Sequence, residues 1–140
     1  MQINSYEQYK TVQANTADRG KLLMMLFDGC LNFLNLTKEG FEENDAMKSA
    51  KYMSKSQAII SELMNTLSFK HNKELAQNLA GLYEFMLYYL TLANLEKSPA
   101  KVDKVIELFG TIAGSYREIV DSGKVATLCA TPSTSTDASV

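Results

Sequence analysis

ELAQNLAGLYEFMLYYLTLANLE, residues 74–96, carries two adjacent rows of apolar side chains at helical spacing. Leu75, Leu79, Leu82, Met86, Tyr89 and Ala93 step by fours and threes, and Ala76, Tyr83, Leu87 and Leu90 run beside them. A stripe two rows wide is buried against more than one neighbour, or against a neighbour and a partner, which makes this helix the centre of a bundle. Asn78 and Asn94 break the apolar surface with amides that need hydrogen-bond partners wherever they are buried.

Working outward, the chain of 140 residues is long enough to bury one sizeable core without staples. An apolar fraction of 46% with only two prolines suits a helical globular domain rather than a disordered or fibrous chain. Fourteen basic residues against sixteen acidic ones provide no basic field for nucleic acid, so partners are to be sought through apolar surface. Cys30 and Cys129 stand without CxxC or Cys/His spacing and read as free thiols of a reducing compartment. Met1 to Lys10 is polar, with no signal-peptide core, and the longest apolar run, Leu22 to Phe27, is too short to cross a bilayer. The expectation is a soluble, cytoplasmic protein without stable membrane insertion.

The segment INSYEQYKTVQAN, residues 3–15, places Tyr6, Tyr9 and Val12 three apart and reads as a short amphipathic helix or arm that must dock to be ordered. A first long helix is expected from Ala17 to about Glu43, with Leu22, Leu26 and Phe33 in one row and Leu23, Phe27, Cys30, Leu34 and Phe41 in another. The next runs from Ala46 to about Leu67 after a cap at Asn44 or Asp45, its stripe formed by Ala50, Met53, Gln57, Ile60, Met64 and Leu67. Asn72 caps the central helix, and Ser98 with Pro99 opens the fourth, which points Val102, Ile106, Phe109, Ala113, Tyr116 and Val120 inward. Gly110 and Gly114 cost the fourth helix roughly 2 kcal/mol of helix propensity together, a cost with two accounts: close helix packing, or a groove for a partner helix. The residues after Gly123 are rich in Ser and Thr and read as a disordered tail. The organisation is thus an arm over residues 1–15, an all-α antiparallel four-helix bundle over 16–122, and a tail over 123–140.

No residue set points to catalysis. There is no Gly-rich phosphate loop, GxSxG or HExxH, and the one histidine, His71, falls in a loop without a second metal ligand in range. No catalytic residue, metal site or cofactor is expected. Four helices with doubled stripes have more apolar surface than they need, and the excess is either core or an adaptable groove for an amphipathic chain; seven methionines fit both.

YEQYKTVQANTADRGKLLMMLFDGCLNFL (6–34), AIISELMNTLSF (58–69) and ELAQNLAGLYEFMLYYLTLANLEKS (74–98) together resemble the FliS family of flagellar export chaperones, in order from residue 5 to about 120. The family pattern falls on Tyr6 and Tyr9, on Lys21, Leu22, Leu26, Phe27, Asp28 and Gly29, on Ile59, Ile60, Glu62 and Leu63, and on Asn78, Leu79, Leu82, Tyr83 and Met86. The resemblance implies a cytoplasmic four-helix bundle that binds the C-terminal segment of flagellin, prevents its premature polymerisation and assists delivery to the flagellar type III export apparatus. The mechanism implied has no chemistry: apolar side chains of the bundle stand in for absent filament neighbours. Partner binding is assigned on this reading to Ile59, Leu63, Leu79, Tyr83, Leu87 and Val105, with Tyr6 and Tyr9 as a displaceable lid. One departure is Tyr116, which stands where many family members carry Trp. The competing readings are a homodimer that pairs the second and third helices and has no client, or a regulatory binder of another flagellar factor such as an anti-sigma factor.

Overall fold

The computed structural model describes residues 16–70 and 72–122, and within them the expected all-α bundle is found. Its helices are α1 (Thr16–Glu42), α2 (Ala46–Asn65), α3 (Lys73–Glu96) and α4 (Pro99–Asp121). The expected arm with Tyr6 and Tyr9, His71, and the expected tail with Cys129 lie outside the described residues.

Local chemistry starts and stops each helix. Asp45 accepts from the Lys48 amide at 3.0 Å and so caps α2, Asn72 accepts from Leu75 at 3.0 Å to cap α3, and Ser98 accepts from Lys101 at 3.1 Å to cap α4. Pro99 follows that serine at the first position, where a missing N–H costs nothing. The chain leaves α1 through Asn44 at φ 57° and leaves α3 through Lys97 at φ 53°, both left-handed. At α2 the helix stops at Asn65, short of the expected Leu67, because Thr66 turns its hydroxyl onto the Leu63 carbonyl at 2.7 Å.

The helices pack in a ring, α1 on α2, α2 on α3, α3 on α4 and α4 on α1, which sets the α1–α2 seam and the α3–α4 seam on opposite sides of the bundle. Lys38 meets Asp103 at 2.9 Å and Arg117 meets Asp28 at 3.2 Å, which fixes the antiparallel register of α1 and α4. These pairs are largely solvated and contribute little stability.

Inside the ring, Phe27 packs its ring 5.0 Å from that of Phe109 and 4.6 Å from that of Tyr116. The core faces of three helices are rotated from the expected ones. On α2 the buried set is Ser49, Met53, Ser56, Ile60 and Leu63, with Leu67 buried just beyond the helix, whereas Ala50 is exposed and Gln57 and Met64 are half-buried. The serines are tolerated because each hydroxyl bonds back to its own helix, Ser49 to the Ala46 carbonyl at 3.2 Å and Ser56 to that of Tyr52 at 2.8 Å. Their small size lets α1 come close: a Cβ on Gly40 would lie 2.7 Å from the Ser49 nitrogen. On α3 the buried row is Ala76, Leu79, Tyr83, Met86, Leu90 and Ala93. Leu82 turns outward instead, and Leu75 and Tyr89 are half-buried. On α4 Val105 and Ile112 are buried, while Ile106 and Val120 lie at the margin.

Candidate partner-binding surface

The apolar surplus read from the sequence is concentrated on α3. Beyond its buried row, a third row of Phe85, Tyr88, Leu92 and Leu95 steps by three and four along the outer face. Phe85 is 48% exposed, Tyr88 61% and Leu95 74%, which is uncommon for such side chains so close together. Leu82 joins them beside Phe85. Phe85 and Tyr89, one turn apart, stack with centroids 5.3 Å apart at 21°.

Between this row and α4 runs an open groove of about 390 Å³, lined by Phe85, Tyr89, Lys104, Glu107, Leu108 and Thr111. Its floor is aromatic and aliphatic, and its rim is charged. Lys101 lies over Tyr89, its ammonium 5.4 Å from the ring centroid and 3.3 Å from Glu96. Gly110 and Gly114 are not there to let helices touch: an added Cβ at either position meets nothing within 4 Å among the described residues. The close-packing account of these two glycines is therefore set aside.

The residues assigned to binding are not brought together on one surface. Leu63, Tyr83 and Val105 are at most 1% exposed and belong to the core. Leu79 is buried at its edge, Leu87 is half-buried on α3, and Ile59 is half-buried on α2 beside Gly29 of α1. Sequence reasoning passed over Phe85, Tyr88, Leu95 and Leu108. The signal was present as the third row of α3, but two rows were already enough to fill a core.

Among the described residues no cluster of His, Cys, Asp or Glu could hold a metal ion, and no helix is long and apolar enough to cross a membrane. Burial pushes the Cys30 thiol up to about 12, so it remains protonated and inert, donating weakly to the Ser56 carbonyl at 3.6 Å. Residues 2–123 match the family model described as flagellar protein FliS. The chain belongs to the FliS family. The flagellar secretion chaperone FliS of Campylobacter jejuni is 32% identical over 127 residues, which cover 90% of this chain and 99% of the relative. That of Bacillus subtilis is 29% identical over 119 residues, 85% of this chain and 88% of the relative, and that of Salmonella typhimurium is 30% identical over 119 residues, 84% and 88%. FliS relatives are thus named as chaperones, not as enzymes. Tyr116 has a buried ring, and its hydroxyl accepts from Tyr83 at 3.3 Å.

Proposed function

We propose that this FliS-family protein is a cytoplasmic, non-enzymatic export chaperone that binds the C-terminal region of flagellin, keeps it from polymerising and assists its delivery to the flagellar type III secretion apparatus. The observation that carries this reading is the exposed row Leu82, Phe85, Tyr88 and Leu95 beside the groove between α3 and α4. An amphipathic helix of a client fits such a groove by laying its apolar face on Phe85, Tyr89 and Leu108. Tyr6 and Tyr9 act as a lid that the client displaces.

Calorimetric titration of the full chain with the C-terminal segment of its own flagellin, at two temperatures, tests the reading. Stoichiometric binding with a negative heat-capacity change is expected, because the contact buries apolar surface. A folded protein that does not bind this segment, and that stays paired on gel filtration at nanomolar concentration, would be the clientless homodimer instead.

A further inference from the structure

Helical spacing carries both walls of the α3–α4 groove on toward the end of the bundle where α4 stops. On α4, Leu108, Thr111, Ser115 and Ile119 step by three and four along one side of the helix, and the first two line the groove. Leu108 and Ile119 are half-buried, whereas Thr111 and Ser115 are small and exposed. On α3, which runs the other way, Leu82 and Leu75 continue the wall begun by Tyr89 and Phe85. Leu82 is 37% exposed and Leu75 half-buried.

The chain itself departs from this end. The Ser122 amide closes α4 on the Glu118 carbonyl at 3.1 Å, and the next residue is Gly123, the type that reverses a chain at least cost. Beyond it the composition is uneven. Residues 124–130 read KVATLCA, whereas TPSTSTDASV, residues 131–140, carries a large apolar side chain only at Val140. In an extended chain Ala126, Leu128 and Ala130 share one face, a large apolar group between two small ones. Residues 125–130 are uncharged, so the charged rim of the groove neither attracts nor repels them. The reach is matched too. Extended, the seven residues from Gly123 to Cys129 span at most about 25 Å. Thr111 lies about 17 Å back along α4 from Ser122. Leu128 therefore reaches the level of Thr111 with slack left for the reversal. A segment tethered to a wall of the groove also needs little contact area, because its effective concentration there is high.

We propose that residues 123–130 fold back over α4 and lay Leu128 in the α3–α4 groove, so that the chain's own tail fills the groove until a client displaces it. The docking stands on the groove and on the reach of the tail, and only the displacement rests on the flagellin reading.

Cys129 supplies the probe, because Cys30 is buried. In the full chain, Thr111→Cys adds a thiol inside the groove. Gly110→Cys is the control, at the same level but turned about 100° around α4, and its added Cβ meets nothing within 4 Å. Under oxidised glutathione, an intramolecular disulfide to Cys129 is expected to form about tenfold faster in the first variant than in the second. Intact mass reads the product, and each new thiol is normalised to its rate with a small aromatic disulfide. Leu128→Ser added to Thr111→Cys should abolish the preference, and so should the C-terminal segment of flagellin. Leu128→Ser alone should raise the calorimetric affinity for that segment severalfold. Equal rates in the two variants, or a preference that survives Leu128→Ser, would overturn the docking. Disulfide-linked dimers in place of the monomeric product would overturn it in favour of a second copy in the groove. A preference that depends on Leu128 but persists in saturating flagellin segment would overturn the displacement and place the client elsewhere.

Discussion

Tyr83 of α3 and Tyr116 of α4 meet hydroxyl to hydroxyl at 3.3 Å in a core where neither ring is more than 2% exposed. Tyr83, a client-contact residue by sequence, instead joins the two helices that bound the groove. Tyr83→Phe should therefore destabilise the fold by about 1–2 kcal/mol, since the buried bond between the two hydroxyls is lost. The double variant with Tyr116→Phe should cost less than the sum of the singles. Urea unfolding measures both, and strict additivity would mean the hydroxyls are not coupled.

Glycines in this bundle divide into two kinds. Gly40→Ala drives a methyl to within 2.9 Å of the Ser49 Cα and should destabilise by about 1–3 kcal/mol as the helices are forced apart. Gly114→Ala meets nothing within 4 Å and should stabilise by up to about 1 kcal/mol. Opposite shifts in thermal midpoint are the expected readout.

Lys97 ends α3 in the left-handed region, where a side chain is disfavoured. Lys97→Gly should raise stability by about 0.5–1 kcal/mol, with Lys97→Ala as the reference for the lost charge.

Phe85→Ser and Tyr88→Ser alter side chains that are 48% and 61% exposed, so they should leave the unfolding midpoint nearly unchanged. Flagellin affinity, measured by calorimetry, should fall at least tenfold for the pair, because aromatic anchors in a groove carry most of the binding energy. Loss of stability without loss of affinity would place the client elsewhere.

Cys30 titrates near 9.0 when unfolded and is pushed up to about 12 in the fold by burial. Below pH 9.0 it is protonated in both states and adds no pH dependence. Between 9.0 and about 12 the unfolded chain loses the proton that the folded one keeps, so stability falls as pH rises through that window. In a Cys129→Ser background, alkylation at pH 8 should be slow in buffer and fast in urea.

The sequence by itself determined the helices, their caps and the surplus of apolar surface. Asn72, Ser98 and Pro99 act within one turn of their own backbone, so spacing alone reveals them, whereas the choice of Asp45 over Asn44 as the α2 cap is seen only in the structure. The family likewise shows in the order of short local motifs. Which row of each helix faces inward was decided by tertiary structure. On α2 the core runs through Ser49 and Ser56, because small residues admit α1 at Gly40 and satisfy their hydroxyls on their own carbonyls. On α3, Tyr83 and Phe85 are equally plausible core residues by composition. One is buried and the other exposed because helical rotation is set by all the neighbours together, and no single helix carries that information.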